Sequence, residues 1–400
     1  MNPGLKALQP YPFEKLSILF QDAAPNSAKK NIAWSIGEPK HPAPAFVAEI
    51  IQKEIAGLGN YPLTAGMPEL REAIRDWLTN RFKLQEGSVD RDRNIVPVNG
   101  TREALFAACQ FLIDPSARSI VSMPNPFYQI YEGAAFLAGA EPFYCNVNSS
   151  TLLPDFDSIE ESVWQRTSLL YVCSPGNPTG AVCGVDQLQK LIELSDKFSF
   201  VIASDECYSE IYPDENEAPA GLLEAAAKMG RHDFKNCLVF HSLSKRSSLP
   251  GMRSGFVAGD AELIAKFKHY RTYHGCAMAP PFQKASIAAW RDEEHVRLNR
   301  EMYRQKFQLV GKIVGDLLDL KQPAGSFYYW PDVGMDDQLF AKELYRLQNM
   351  IVLPGSYLSR EVNGSNPGKN RVRMALVAPI EECEEGAQRL VEFINQRKEF

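Results

Sequence analysis

The chain has 400 residues, of which 45% are hydrophobic and 23% charged, and its formal net charge is −6 at pH 7. This length predicts one large and one smaller domain with a sizeable core, and the acidic balance without a basic tract argues against nucleic acid or an acidic membrane as a partner. No apolar run reaches the roughly 20 residues that span a bilayer, and the first twenty residues carry prolines and charges instead of an apolar leader, so we predict a cytoplasmic protein.

The eight cysteines and six histidines are scattered along the chain. No Cys-x-x-Cys pair occurs, and the histidines form no group with metal-ligand spacing. In a chain of this length such scatter argues against a disulfide scaffold and against a zinc site. We therefore predict no metal.

Strand-like and helix-like segments alternate between residues 45 and 290. Helices are predicted from Gly100 through Leu112 and over Gln129–Ala138. The short apolar runs that indicate strands are Ile95–Val98, Ser119–Met123, Leu169–Cys173, Phe200–Ala203, Leu238–His241 and Gly255–Ala258. Short buried strands separated by helices predict an α/β fold with a doubly wound, mostly parallel sheet, in which ligands gather at the carboxyl ends of the strands.

The pattern changes after residue 292. A charged helical segment, Glu293–Leu320, predicts one long helix leaving the large domain. The remainder has strand-like runs and a closing helix, namely Ser326–Trp330, Ile351–Pro354, Arg371–Leu376 and Glu381–Arg397. We predict a large domain over 41–292 and a small α+β domain formed by 1–40 and 293–400, with a mobile loop at Asn363–Asn370.

The segment from Ser242 to Gly259 carries the clearest chemical signal. Lys245 lies between hydroxyls and small residues, a setting in which an amine loses its proton easily and attacks a carbonyl carbon. Arg253 and the hydroxyls of Ser242 and Ser244 suit a phosphate beside it. An imine-forming lysine beside a phosphate site suggests pyridoxal phosphate. The Ser-x-x-Lys spacing also occurs in serine acyl-enzymes, but their Ser-Asp-Asn and Lys-Thr-Gly motifs are missing here.

The ring of that cofactor needs a buried carboxylate at its nitrogen and donors at its phenolic oxygen. Asp205 follows the strand Phe200–Ala203 and is the candidate carboxylate, although a helix N-cap alone would explain it. Asn177, in a Pro- and Gly-rich turn, and Tyr208 are the candidate donors, although such turns are common.

The cofactor and substrate also need a binding site for the phosphate, an aromatic side chain that stacks on the cofactor ring, and an arginine that binds the substrate carboxylate. Gly100-Thr101-Arg102 opens a helix directly after a strand, which suits phosphate, although it also suits a simple cap. Tyr128 follows a strand and is the candidate plate for the ring face. An arginine in the last strand would grip the substrate carboxylate, and alternation alone does not decide between Arg371 and Arg373.

Taken together, these motifs resemble the class I/II aminotransferases of fold type I. The matching blocks occur in the family's order and cover nearly the whole chain: Tyr61–Gly66, Asn99–Arg102, Ser174–Gly180, Ser204–Tyr208, Ser242–Gly255 and Arg371–Ala375. The resemblance implies Lys245 as the lysine bound to the cofactor, Asp205 at the ring nitrogen, and Asn177 and Tyr208 at the phenolic oxygen. It further implies the roles of the other residues as follows: Tyr128 on the ring face, Ser242 and Arg253 on the phosphate, Arg373 on the substrate carboxylate and Gly37 near the substrate.

The resemblance also implies a homodimer with shared active sites, in which Tyr61 reaches the phosphate of the neighbouring subunit. Two segments, Lys245–Gly255 and Leu8–Leu16, resemble the branch that acts on N-succinyl-diaminopimelate in bacterial lysine synthesis. The implied reaction is amino transfer between glutamate and N-succinyl-2-amino-6-oxopimelate. An aminotransferase for aspartate, alanine, an aromatic amino acid or acetylornithine, or a cysteine-conjugate β-lyase, stays open. The candidate cations for the additional carboxylates are Arg102, Arg271 and Lys284.

Overall fold

The computed structural model describes residues 1–117 and 119–398, which form twelve β-strands and fourteen α-helices. The strands are β1 (Ile32–Ala33), β2 (Ile95–Val98), β3 (Ile120–Asn125), β4 (Glu141–Asn146), β5 (Thr167–Cys173), β6 (Val201–Asp205), β7 (Cys237–Ser242), β8 (Gly255–Gly259), β9 (Tyr328–Tyr329), β10 (Met350–Ile351), β11 (Leu353–Pro354) and β12 (Val372–Ala375). The helices are α1 (Pro12–Leu19), α2 (Ala45–Lys53), α3 (Pro68–Phe82), α4 (Thr101–Leu112), α5 (Gln129–Leu137), α6 (Glu161–Trp164), α7 (Val185–Phe198), α8 (Leu222–Lys228), α9 (Leu243–Arg246), α10 (Ala261–His274), α11 (Pro280–Arg291), α12 (Glu294–Val314), α13 (Asp337–Gln348) and α14 (Ile380–Lys398).

Seven strands form the large sheet in the order β2-β8-β7-β6-β5-β3-β4. The five strands from β7 to β4 are parallel to one another, so the mostly parallel α/β sheet predicted from the sequence is confirmed. Strand β8 differs, because it runs antiparallel to both β7 and β2. The segment 243–254 that connects β7 to β8 folds into short helical turns and not into the crossover helix that a parallel pair needs.

Both faces of the large sheet are buried, because its side chains alternate between two apolar clusters. In β5, Leu170 and Val172 face one cluster, while Leu169 and Tyr171 face the other. Helices α3, α7, α8 and α11 contribute to the first cluster, and α4, α5 and α10 to the second. Each large apolar side chain that is buried in this way contributes roughly 1.5–3 kcal/mol. Helices therefore cover both faces of the large sheet.

A second core surrounds the short strands near the C-terminus. Strands β11, β12 and β9 form an antiparallel sheet, β1 pairs in parallel with β10, and α12, α13 and α14 pack around them. The long helix predicted over Glu293–Leu320 ends earlier, at Val314, because Gly315 adopts a positive φ of 53° that breaks the helix. The strand predicted over Ser326–Trp330 is reduced to β9.

The N-terminal segment contacts both parts of the molecule. Strand β1 joins the small sheet, whereas the Nδ2 of Asn2 donates to the carbonyl oxygen of Leu137 in α5, at 3.0 Å. The domain limits at residues 40 and 292 stay a prediction. Within residues 1–117 and 119–398, no helix combines the length and the apolar character needed to cross a membrane. The cytoplasmic location stays a prediction as well.

Candidate active site

A cavity of about 470 Å³ opens between the large sheet and the small antiparallel sheet. Most of the residues that the sequence predicted for the site line it together: Gly37, Thr101, Arg102, Tyr128, Asn177, Asp205, Tyr208, Ser242, Ser244, Lys245, Arg253 and Arg373. Tyr11, Pro12 and Phe13 of the N-terminal segment line it as well. The cavity therefore brings together side chains from distant parts of the chain.

The strand directions explain how these residues meet. Strands β3, β5, β6 and β7 are parallel, so their carboxyl ends lie at one edge of the sheet, and Asp205 and Ser242 are the last residues of β6 and β7. Because β8 is antiparallel to β7, Gly255 pairs with Ser242 and β8 begins at that same edge. Arg253 comes two residues before Gly255, and its place in the cavity therefore depends on the reversed strand.

Lys245 lies in the one-turn helix α9, directly after β7. Its Nζ donates to the carbonyl oxygen of Gly37 at 2.6 Å and lies 5.3 Å from the ring centre of Phe327. Burial lowers the pKa of the Lys245 amine to about 8, and the smaller effects of nearby guanidinium and acidic groups act in opposite directions. About half of this amine is therefore neutral near pH 8, where an ordinary lysine is almost fully protonated, and the neutral form is the one a nucleophile requires.

Asp205 is buried at the floor of the cavity. The hydroxyl of Tyr131 donates to its Oδ2 at 2.7 Å, and the backbone N–H of Cys207 donates to its Oδ1 at 3.3 Å. Burial raises the pKa of Asp205 above its ordinary value, and these hydrogen bonds only partly offset that effect. A cation bound against this carboxylate would restore its charged form.

The neighbouring Glu206 points away from the cavity. Its Oε1 accepts from the hydroxyl of Ser204 and from the backbone N–H of Leu222, both at 2.9 Å, and its Oε2 lies 3.1 Å from the Nε2 of His241. These contacts tie β6 to β7 and to the start of α8. Glu206 is therefore a structural carboxylate outside the cavity.

One end of the cavity is built for an anion. Thr101 is the first residue of α4, whose N-terminal N–H groups favour negative charge. The hydroxyls of Ser242 and Ser244 lie 2.8 Å apart, and Arg253 extends beside them. A Cβ placed on Gly100, whose φ is 87°, would lie 2.2 Å from the Nη2 of Arg253, so only glycine lets this guanidinium approach the helix start.

Four tyrosine side chains line the cavity. The hydroxyl of Tyr128 accepts from the Nε of Arg102 at 2.8 Å, and the hydroxyl of Tyr11 accepts from the Nη2 of the same arginine at 3.1 Å. The hydroxyls of Tyr208 and Tyr328 lie 2.9 Å apart. Burial raises the pKa of Tyr208 well above its ordinary value, so its hydroxyl keeps its proton and can donate to a ligand.

Arg373, and not Arg371, faces the cavity. Its Nη1 donates to the Oδ1 of Asn177 at 3.0 Å, and its Nη2 donates to the carbonyl oxygen of Ser35 at 2.7 Å. Arg371 instead donates to the carbonyl oxygen of Trp330, at 3.0 Å. Arg373 is only 6% exposed, its Nε is buried without a partner, and among the described residues it forms no ion pair with a carboxylate. A buried, unpaired guanidinium is costly unless an anionic ligand completes it.

Some predicted residues lie elsewhere. Tyr61 is fully exposed and does not line the cavity of its own chain. Gly100 does not line the cavity either, but it lies against Arg253, which does. Of the three candidate cations for additional carboxylates, only Arg102 lines the cavity. Arg271 and Lys284 lie outside the cavity of this chain: the Nη1 of Arg271 lies 2.8 Å from Glu103, and the Nζ of Lys284 lies 3.9 Å from Glu69.

Sequence reasoning missed Tyr131 and Tyr328. Tyr131 lies in α5, three residues after Tyr128, and it stacks on Tyr171 with ring centres 4.4 Å apart. That spacing places Tyr131 and Tyr128 on one side of the helix, a signal that points to Tyr131 once Tyr128 is selected. Tyr328 lies within an aromatic run from Phe327 to Trp330, in which no residue stands out by type.

Comparison with known proteins agrees with this geometry. Residues 29–390 match the family model described as aminotransferase class I and II. An LL-diaminopimelate aminotransferase from Dehalococcoides mccartyi is 30% identical over 407 residues, which cover 99% of both chains. The crystal structure of an aminotransferase from Neisseria meningitidis superposes with a TM-score of 0.95 at 47% identity, covering 98% of this chain and 100% of that one. A probable N-succinyldiaminopimelate aminotransferase from Thermus thermophilus, at 24% identity, 96% and 100% coverage and a TM-score of 0.84, shares the fold.

Class I and II aminotransferases use pyridoxal phosphate, and the donor set of the cavity fits that group. Lys245 provides an amine with a lowered pKa, and Asp205 provides a buried carboxylate that forms no ion pair within residues 1–117 and 119–398. The close approach of Gly100 and Arg253 at the start of α4 forms the anion end. The chain belongs to the class I and II aminotransferases, and it is a pyridoxal-phosphate-dependent transferase.

Proposed function

We propose that the enzyme transfers an amino group between glutamate and N-succinyl-2-amino-6-oxopimelate. The proposal that the substrate is an amino acid rests on Arg373, whose buried, unpaired guanidinium faces the same cavity as Lys245 and Asp205. The preference for the succinylated acceptor is supported by the two segments that resemble that branch of the family. Both segments contribute to the lining of this cavity: the first with Tyr11, Pro12 and Phe13, and the second with Lys245, Pro250 and Arg253.

Pyridoxal phosphate, when bound, supplies an aldehyde that takes up the amino group and a ring that accepts the electron pair of the substrate. In this proposal Lys245 holds the cofactor at rest and then, as a free amine, carries a proton to and from the substrate α-carbon. Asp205, held by Tyr131, keeps the ring nitrogen protonated. Asn177 and Tyr208 donate to the phenolic oxygen, and Tyr208 keeps its own proton because it is buried.

The anion end would hold the phosphate through the start of α4 and the facing hydroxyls. The residues proposed for this role are Gly100, Thr101, Ser242, Ser244 and Arg253. Tyr128 would cover one face of the ring, with its hydroxyl held by Arg102. The α-carboxylate of the substrate would bind Arg373 beside Gly37, where the guanidinium already lies 4.6 Å above the ring of Tyr328.

The distal end of the acceptor needs a further cation, and we propose Arg102. Its guanidinium links the hydroxyls of Tyr11 and Tyr128, and among the described residues it forms no ion pair with a carboxylate. An arginine held at two nitrogens is pre-organised to bind a second carboxylate. A second candidate substrate is LL-diaminopimelate itself, because curated relatives at 28–30% identity carry the name LL-diaminopimelate aminotransferase.

A substrate panel tests the proposal. With glutamate as donor, we expect kcat/KM for N-succinyl-2-amino-6-oxopimelate to exceed that for the 2-oxo acids of alanine, aspartate and aromatic amino acids, and for the semialdehyde of acetylornithine, by about 100-fold, the value of one or two charge-assisted hydrogen bonds. Arg102→Gln should remove most of that preference by raising KM. Run in reverse with 2-oxoglutarate, N-succinyl-LL-diaminopimelate should react faster than LL-diaminopimelate. The opposite order selects the second candidate, and release of pyruvate from cysteine conjugates in place of amino transfer rejects both.

We also propose a homodimer in which each site borrows Tyr61 from the partner. The support is an exposed apolar stretch on one chain: Tyr61 is fully exposed, and Leu63 and Leu58 are 75% and 55% exposed. Such a stretch suits burial against a second copy. Mixing inactive Lys245→Ala chains with impaired Tyr61→Ala chains should therefore recover activity, since a mixed dimer has one site with both residues intact. Recovery should approach about a quarter of the wild-type value after random re-pairing. A mixture no more active than its parents contradicts the shared site.

A further inference from the structure

A buried polar cluster lies beneath the turn that carries Lys245 and is outside the cavity. Asn299 of α12 donates through its Nδ2 to the carbonyl oxygen of Lys245 at 3.1 Å and to that of Arg246 at 3.2 Å. Its Oδ1 lies 2.7 Å from the Nδ1 of His41. Asn299 is buried, so all of its hydrogen-bonding capacity is directed at these groups.

The orientation of the Asn299 amide is set from behind by His41 and Lys306. The Nζ of Lys306 lies 2.5 Å from the Nε2 of His41, and an ammonium can only donate there. His41 must therefore accept at Nε2 and carry its proton on Nδ1, from which it donates to Asn299. Burial lowers the pKa of His41 to about 4, in keeping with a neutral ring. The amide oxygen of Asn299 thus faces His41, and its NH2 group faces the main chain of the Lys245 turn.

This cluster is too costly to be only a packing element. Lys306 is 2% exposed, and among the described residues no carboxylate lies within ion-pair distance of it. Burial lowers the pKa of its amine to about 8. An apolar side chain would fill the same space without the cost of desolvating a cation, which is several kcal/mol in general. What the hydrogen bonds from Lys306 to His41 and from His41 to Asn299 provide is a fixed orientation of the Asn299 amide against the backbone.

The cluster also connects Lys245 with the segment that receives its amine. The carbonyl oxygen of Gly37 accepts a hydrogen bond from the Nζ of Lys245. Four residues later, His41 bonds the side chain of Asn299, which in turn bonds the main chain of Lys245. The hydroxyl of Ser248 donates to the carbonyl oxygen of His41 at 2.8 Å and ties the same segment to the end of the turn. The backbone and the amine of Lys245 are therefore both held, directly or through Asn299, by the stretch from Gly37 to His41.

We propose that Asn299 is a positioning residue for Lys245, with its amide oriented by His41 and Lys306. The inference rests on the proposed role of Lys245 in holding the cofactor. Asn299 touches neither cofactor nor substrate in this scheme. It acts by holding the backbone from which the amine reaches the cavity, so that loss of its two donors lets the amine sample unproductive positions.

The test uses Asn299→Leu, which keeps the number and branching of the side-chain heavy atoms and removes the donors. We expect the dissociation constant of pyridoxal phosphate to rise about tenfold, the effect of one lost buried hydrogen bond. The pH midpoint of the absorbance change of the bound cofactor should also move, by about half a unit or more. The matched control is Tyr303→Phe on the same helix, because the Tyr303 hydroxyl is buried and has no hydrogen-bond partner in the described part of the chain, while its ring packs on His41 with ring centres 4.3 Å apart. Tyr303→Phe should leave both values unchanged.

A second variant keeps the test decisive if Asn299→Leu folds poorly. His41→Phe preserves the ring contact with Tyr303 and frees the amide to rotate, so it should shift both values in the same direction by a smaller amount. If His41 acts through Asn299, the double variant should resemble Asn299→Leu alone. Thermal midpoints that fall while cofactor affinity and pH midpoint stay at wild-type values overturn the inference. Failure of wild-type enzyme to bind pyridoxal phosphate at Lys245 would instead reject the proposed function.

Discussion

Lys245→Arg should bind cofactor and substrate but lose amino transfer, with kcat lowered by at least about 10⁴-fold. Arginine keeps the positive charge and much of the length of lysine, yet it does not deprotonate in proteins and so provides neither nucleophile nor base. Burial lowers the pKa of the Lys245 amine to about 8, which is what the substitution removes. Single-turnover measurements with glutamate would check the result. Lys284→Arg makes the same chemical change outside the cavity and should leave the rate unaltered.

The lowered pKa of the Lys245 amine can be measured directly in protein freed of cofactor, by chemical labelling at different pH values. For a lysine the neutral form is the reactive one, and it dominates above the pKa, so labelling of Lys245 by an acetylating reagent should be half-maximal near pH 8. Exposed lysines should reach that point only above about pH 10. Peptide mass spectrometry at a series of pH values compares them within one sample. A Lys245 profile that coincides with the surface lysines would contradict the burial effect.

Much of the fold was predictable because the central strands are buried on both faces. Runs such as Leu169–Cys173 carry no polar residue that could face solvent, and each is followed by a turn and a helix. The antiparallel course of β8 was not predictable from Gly255–Ala258, since a fully apolar run is the same in either direction. Strand β9 was overestimated because an aromatic run favours a strand by residue type, whereas pairing with β12 is limited to Tyr328 and Tyr329.

The site was predictable where a polar residue stands at, or just after, the end of a buried strand. Asp205 is the last residue of β6, Lys245 comes three residues after the end of β7, and the carboxyl ends of these parallel strands lie together. Residues that support them from helices gave no such signal. Asn299 is one polar residue among many in α12, and only the packing of α12 beneath the turn distinguishes it. Strand alternation did not separate Arg373 from Arg371, and only the resemblance pointed to Arg373; in the structure Arg371 lies just before β12 and donates to the carbonyl oxygen of Trp330.

Asp205→Asn should lower kcat/KM by about 10²–10³-fold, the usual effect of removing one pre-organised electrostatic partner. The amide has the shape of the carboxylate, so the change isolates the negative charge that keeps the ring nitrogen protonated. Tyr131→Phe should cost less, about tenfold, because it removes one hydrogen bond to the carboxylate and leaves the charge in place. Steady-state kinetics at saturating cofactor would measure both, and cofactor affinity would be determined separately.

The neighbouring Glu206→Gln is the matched control for Asp205→Asn. It removes an equally buried carboxylate from the adjacent residue, but on the side of β6 that faces away from the cavity. Glutamine can still accept from Ser204 and Leu222, so the folded enzyme should keep its turnover while its thermal midpoint falls. If both substitutions lowered kcat/KM alike, loss of charge near the sheet edge would explain the result, and Asp205 would have no specific part at the ring nitrogen. A much larger loss for Asp205 ties the effect to the one carboxylate that faces the cavity.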